Sequence, residues 1–290
     1  MFNARISSSS LGIVPPTSIV RRVLARFVAA GFVAGALLSV AAAAVAAVSS
    51  PTQLGYYGCS DLKTPHIDAL AASGTRFDHA FTSTVSCSGS RTAIYTGLHM
   101  HENGCYGLHH CRNGFQTFPN VETAPNVFNR LGYRTGILGK VHAGTPELHP
   151  WHIQEESETR NVALIADRAE AFFQESKKAG TSFFLAVGFV NPHRQLQTRG
   201  GFGNVDGNHA TFSEVRQELA KYYRAITRLD WGVGRILAAL DRECLADDTM
   251  VLFMSDNGPP FVNSKMTLYE ACIRLPFIVR APGFTPPGGS

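Results

Sequence analysis

The chain has 290 residues, 44% of them hydrophobic and 17% charged, with 26 Lys and Arg against 22 Asp and Glu. That length accommodates one large domain or two small ones with a full core, and the composition excludes disordered, coiled-coil and collagen-like chains. Arg5, Arg21, Arg22 and Arg26 crowd the N-terminus, so the remainder is near neutral and no nucleic-acid surface is expected. Six cysteines are too few for a disulfide scaffold in a chain this long.

Residues 27–48 carry no charge. At about 1.5 Å per residue they are long enough to cross a ~30 Å hydrocarbon core as a helix. The basic flank and the small residues Ala44-Val45-Ala46 ahead of Ser49-Ser50-Pro51 also suit a cleaved signal peptide, and Arg21-Arg22 faintly resembles a twin-arginine signal. Residues 1–50 are therefore expected to be an export signal, a membrane anchor making contact through 27–48, an alanine-rich buried helix, or an aberrant start. Export is the favoured reading, which makes the protein periplasmic, secreted or anchored.

Beyond residue 50 helical and strand patterns alternate. Thr64-Pro65 opens a helix carrying Ile67, Leu70 and Ala71, which Gly74 ends. Ser86 to Gly97 reads as a loop of small residues running into a short helix. A strand is expected at Arg134–Gly139 and another at 182–189. Between them a helix carries Val162, Ile165, Ala166, Ala169, Phe172 and Phe173, and stops at Gly180. Residues 200–207 form a glycine-rich loop. A Thr211/Glu214 capping box then starts a long helix with Val215, Leu219, Tyr222, Ile226, Leu229, Val233, Ile236 and Leu240 facing inward, and Tyr222-Tyr223 and Trp231 counted with its core. Strands follow at 249–254 and 276–280. The alternation implies βαβ units: an α/β fold with a mainly parallel sheet flanked by helices.

Ligands of such sheets bind outside the carboxyl ends of the strands. Those positions are polar three times: Gly139-Lys140-Val141-His142, Asn191-Pro192-His193-Arg194 and Ser255-Asp256-Asn257-Gly258. Each alone has an ordinary reading as turn chemistry or a satisfied histidine. Together they supply a cation, two imidazoles and an Asp/Asn pair, the groups that an oxyanion and a hard metal require. Cys87 sits near the positive end of its helix, where a thiolate or anion is favoured, with Arg91 one turn on. The plain alternative is a buried structural cysteine. Cys105 and Cys111 could pair in an exported chain, although two small buried thiols is the simpler reading.

Cys87-Ser88-Gly89-Ser90-Arg91 followed by Thr96-Gly97 resembles the signature of the sulfatase family. Leu54-Gly55-Tyr56-Tyr57-Gly58, Thr64-Pro65-His66-Ile67-Asp68-Ala69-Leu70, Gly139-Lys140-Val141-His142, Pro192-His193, Ser255-Asp256-Asn257-Gly258 and the stretch from Lys265 to Glu270 agree with it in order and spacing. Within the family, the run from His101 to His109 is most similar to N-sulfoglucosamine sulfohydrolases. The resemblance implies an alkaline-phosphatase-like catalytic domain over 51–290, lacking a smaller C-terminal domain. It also implies hydrolysis of sulfate esters or sulfamates on a sulfated small molecule or glycan.

Carried over by position, Cys87 is oxidised by a formylglycine-generating enzyme to a formylglycine whose hydrate attacks sulfur, with Arg91 holding one of its oxygens. Asp256, Asn257 and the modified Cys87 are implied calcium ligands. Lys140, Lys265, His142 and His193 bind sulfate oxygens, and one imidazole protonates the departing atom. Two departures stand out. Family members carry a normally central strand ending in two consecutive calcium-binding aspartates before the position of Leu54, whereas this chain has Pro51-Thr52-Gln53, so calcium is expected to bind weakly and 40–48 to imitate that strand at best. Gly89 replaces the usual proline or alanine. A catalytically impaired relic and a phosphonate or phosphate monoester hydrolase of the same superfamily are the alternative readings.

Overall fold

The computed structural model describes residues 39–46, 51–112, 114–193 and 212–290. One seven-stranded sheet organises the chain. Its strands are β1 (Ser39–Ala46), β2 (Thr75–Phe77), β3 (Arg134–Gly139), β4 (Ile153–Glu156), β5 (Phe183–Phe189), β6 (Thr249–Ser255) and β7 (Phe277–Arg280), in the spatial order β2-β7-β6-β1-β5-β3-β4. The five strands from β6 to β4 are parallel, and β7 and β2 close the other edge antiparallel. The expected mainly parallel α/β sheet is thus present, with short edge strands β2 and β4 that no strong apolar run announced.

Strand β1 changes the reading of the N-terminus. Residues 39–46, which the sequence placed in the N-terminal segment and offered at best as an imitation of the family's central strand, form the central strand, paired on one side with β5 and on the other with β6. Cleavage after Ala46 would remove the middle of the sheet. Residues 1–38 and 47–50 lie outside the described residues, and no described helix is long and apolar enough to cross a membrane.

Both faces of the sheet are covered, as parallel strands require. Phe183, Leu185, Val187 and Phe189 of β5 turn to one face. There they meet α1 (Pro65–Ala72), α5 (Val162–Lys178) and α6 (Phe212–Arg242). Phe184 and Ala186 turn to the other face. They pack with Tyr95 of α2 (Cys87–Thr96), Phe128 of α4 (Ala124–Arg130) and Trp151. Two four-residue helices, α3 (Met100–Asn103) and α7 (Glu270–Ile273), complete the set.

Helix α6 differs from expectation at two positions. Tyr222, Ile226, Leu229, Val233, Ile236 and Leu240 are buried, but Val215 and Trp231 are exposed. The Trp231 ring lies under the Arg235 guanidinium, 5.2 Å away, on the solvent face. The capping box at Thr211/Glu214 and the loop at 200–207 lie outside the residues or side chains described. Cys105 is buried and Cys111 exposed, and neither is paired.

Asp230 of α6 is a buried acid that the periodicity did not single out. Its carboxylate accepts the backbone N–H groups of His66 (3.1 Å) and Ile67 (2.8 Å) in the first turn of α1, where the helix dipole favours a negative charge. Asp230→Ala leaves those donors buried and unmet, so it is expected to cost about 1–3 kcal/mol. Urea denaturation should show a lower midpoint at an unchanged slope.

Candidate active site

Helix α2 is polar yet buried: Ser88, Ser90, Arg91 and Thr92 have almost no exposed surface. Three of its hydroxyls are tied down. Ser88 Oγ accepts the His109 N–H, Ser90 Oγ pairs with Thr82 Oγ1, and Thr96 Oγ1 donates to the Thr92 carbonyl. Gly97 ends the helix in the left-handed region at φ 68°. Cys87 is its first residue and is 4% exposed. Gly89 has a local reason, because a Cβ there would stand 2.6 Å from Met100 Sδ.

Arg91 and Asp256 are both fully buried and form the centre of the site. Arg91 Nε donates to Asp256 Oδ2 at 2.9 Å, and Nη1 donates to the Lys140 carbonyl. Lys140, just past β3, places Nζ 3.6 Å from the same carboxylate oxygen. Arg91 Nη2 and Lys140 Nζ find no hydrogen-bond acceptor among the described residues. Such orphaned buried donors are costly unless something outside the chain meets them.

The shifts follow from this crowding. Burial alone would raise the Asp256 pKa, but Lys140, Arg91 and Lys265 hold it well below the carboxylate range. Burial pushes Lys140 down; Asp256 opposes the shift, while Arg91 and Lys265 add to it.

Gly188 makes the approach possible. A Cβ there would lie 2.3 Å from the Lys140 carbonyl and 2.9 Å from Arg91 Nη1. The Gly188 carbonyl also accepts the Lys140 N–H at 2.7 Å. The one sequence signal was an isolated glycine inside a strand, which often marks a close backbone approach.

Past β5, His193 Nε2 lies 3.0 Å from Lys265 Nζ. An ammonium only donates, so Nε2 accepts. Arg160, absent from the expected set, fixes this loop: Nη2 donates to the His193 carbonyl at 2.8 Å and Nη1 to Asn191 Oδ1 at 3.3 Å. No local pattern announces it. Lys265 belongs to the same field, since it acts on both Lys140 and Asp256. Cys87 acts on Arg91 and Lys140.

His142 is placed differently. Its φ is 46°. Nε2 faces Glu158 Oε1 at 3.2 Å and Glu156 at 3.9 Å, and the ring lies 4.1 Å from that of His110. Burial, then Lys140, His110 and Arg91, lower its pKa to about 2. The imidazole is therefore neutral, on the wall of the site rather than over Asp256. The expected residues Cys87, Arg91, Lys140, His193, Lys265, Asp256 and Asn257 gather around one centre, with His142 at its rim.

The oxygen donors do not fit the implied calcium ion. Asp256 Oδ2 faces Arg91 and Lys140, and Oδ1 accepts Asn257 Nδ2 at 2.9 Å. Of the Asp256 and Asn257 side-chain oxygens, Asn257 Oδ1 alone is unmet among the described residues. Calcium takes about 6–8 oxygens and owes its affinity largely to ligand charge. The sequence holds no Asp or Glu before Asp61, so β1 brings no carboxylate.

A family model described as Sulfatase matches residues 46–288. Human N-sulphoglucosamine sulphohydrolase is 34% identical over 264 residues, covering 79% of this chain and 52% of its own length. Human N-acetylgalactosamine-6-sulfatase is 28% identical over 288 residues, covering 81% and 55%. The chain thus spans about half the length of the curated relatives it matches. Among solved structures, Ps i-CgsB in complex with k-i-k-neocarrahexaose superposes with a TM-score of 0.73 at 24% identity, over 87% of this chain and 67% of that one. Phosphonate monoester hydrolase of Agrobacterium radiobacter gives 0.66 at 18% identity, over 84% and 68%. Both show a shared fold.

Two outcomes are expected for inorganic sulfate followed by calorimetry. Gly188→Ala should weaken binding at least tenfold, because the Lys140 carbonyl and Arg91 must move apart. In the unsubstituted chain, affinity should hold while Lys140 is charged and fall as pH rises through its lowered pKa, beginning below the ordinary lysine range.

Proposed function

The chain belongs to the sulfatase family, and from that premise we propose that it hydrolyses sulfate esters or sulfamates at the cluster around Cys87. What supports this reading most is the pair of buried, unmet donors, Lys140 Nζ and Arg91 Nη2, beside a cysteine at a helix N-terminus. They provide fixed positive charge where the oxygens of a transferring sulfuryl group gather electrons. Oxidised to formylglycine, Cys87 supplies a geminal diol, one hydroxyl as nucleophile and the other to help release sulfate.

The remaining groups hold and move protons. Arg91, Lys140 and Lys265 orient the anion, and Asp256 keeps the two nearest cations in register. His193 gives its Nδ1 proton to the departing oxygen or nitrogen as the bond to sulfur breaks, while the Lys265 ammonium, which donates to Nε2, passes a proton to that nitrogen. His142, neutral and tied to Glu158, shapes the wall. Overall one water is consumed, giving the alcohol or amine and sulfate.

Because Cys87 is 4% exposed, the formylglycine-generating enzyme acts on the chain before it folds. The substrate is a sulfated small molecule or glycan, as the names of the curated relatives suggest. The chain is exported, with any signal ending before β1.

Mass spectrometry of the peptide containing Cys87, after expression beside the modifying enzyme, should show conversion of thiol to aldehyde. Aryl sulfate should be turned over in preference to aryl phosphate, and Cys87→Ala should reduce turnover by about a thousandfold or more. An unmodified thiol with no sulfate turnover would favour a relic, and faster phosphate turnover a phosphomonoester hydrolase.

A further inference from the structure

We infer that this cluster is a metal-free anion site, in which Lys140, Arg91 and Lys265 grip a tetrahedral dianion with no divalent cation beside them. The inference rests on the reading above that the cluster binds the sulfuryl group, and adds that calcium is not the partner. Four observations carry it.

First, the carboxylate that would anchor a cation is already occupied. Both Asp256 oxygens are engaged, Oδ2 by two cationic side chains and Oδ1 by the Asn257 amide. A calcium ion bound to this carboxylate would sit within reach of the Arg91 and Lys140 charges, both of which oppose it.

Second, the charge of the cluster suits an anion. Arg91, Lys140 and Lys265 face the single carboxylate of Asp256, and the neighbouring His142 stays neutral. The surplus is two positive charges, which a dianion neutralises and a dication would double.

Third, the unmet buried atoms are mainly donors. Lys140 Nζ and Arg91 Nη2, unmet among the described residues, lie on side chains at most 2% exposed, and both side chains reach Asp256 Oδ2, Lys140 through Nζ and Arg91 through Nε. An acceptor-rich ligand such as sulfate satisfies both at once, whereas a metal ion satisfies neither.

Fourth, the acceptor inventory is short. Asn257 Oδ1 is a single neutral oxygen, and the sequence ahead of Asp61 contains no acid. Glu156 and Glu158 lie at the rim beside His142, so the centre itself offers Asn257 Oδ1 and the already engaged Asp256, well short of the shell that a hard cation requires.

The test is calorimetric titration of the full chain with inorganic sulfate, once with EDTA and once with millimolar calcium chloride. The inference expects the same affinity, within about twofold, in both. A calcium titration monitored by the same heats should show no binding. Sulfate binding that appears only with calcium would overturn the metal-free site while leaving the anion-binding reading intact. Absence of sulfate binding under both conditions would overturn both.

Asp256→Asn provides a second readout of opposite sign. Without a metal, Asp256 competes with sulfate for Arg91 and Lys140, so the variant should bind sulfate several-fold more tightly and gain more thermal stability from it. In a calcium site the same change removes the one anionic ligand, and a fall in sulfate affinity would count against the inference. If the variant does not fold, the wild-type titrations decide.

Discussion

The site depends on the burial of more positive than negative charge around one carboxylate. Arg91 and Asp256 have no exposed surface and Lys140 has almost none. Removing a charge from water costs several kcal/mol, and a pair recovers that only with good geometry and further hydrogen bonds. Asp256 is held by Arg91, Lys140 and Asn257, so its own desolvation is well offset. The cations are less well served, since each retains an unmet donor. An arrangement that satisfies the acid and leaves the bases short is poised for an incoming anion.

The scaffold holds those charges in place against their mutual repulsion. Lys140 leaves the end of β3, Asp256 the end of β6 and His193 the loop after β5, all at the carboxyl edge of the parallel strands. Backbone hydrogen bonding pins Lys140 to Gly188, and Arg91 reaches across to the Lys140 carbonyl. Rigidity here comes from the main chain. Arg160 does the same for the His193 loop by holding its carbonyl and the Asn191 side chain together.

Much of this was legible in the sequence because strands and helices with strong periodicity fix where their ends lie. Strands β3, β5 and β6 are each marked by an apolar run ending in polar residues, so the sequence places Lys140, His193 and Asp256 at one edge. What escaped was long-range or ambiguous. The alanine-rich run containing β1 has no alternation that separates a buried strand from a helix. Its identity is decided by pairing with β5 and β6. Arg160 acts through a carbonyl thirty-odd positions away in sequence, and Trp231 occupies a helical position whose direction is set by how α6 packs rather than by its apolar character. The side to which His142 turns depends on Glu158 and a positive φ, neither encoded in the Gly-Lys-Val-His motif itself.

On the metal-free reading, electrostatics accounts for the departure from the family pattern. The expected pair of aspartates carries two negative charges, and the calcium ion they would hold carries two positive. A site lacking all three keeps the same net charge, so its attraction for a dianion is preserved to first order. What changes is the kind of contact. A metal ion draws oxygens toward a point, whereas Lys140 and Arg91 present N–H groups whose directions are fixed by a packed backbone. Affinity then depends on the match between donor directions and oxygen positions, and on the protonation of Lys140, whose pKa burial has already lowered. Gly188 therefore matters to the site as well as to packing, because its missing side chain lets the Lys140 carbonyl and Arg91 Nη1 lie against the β5 backbone.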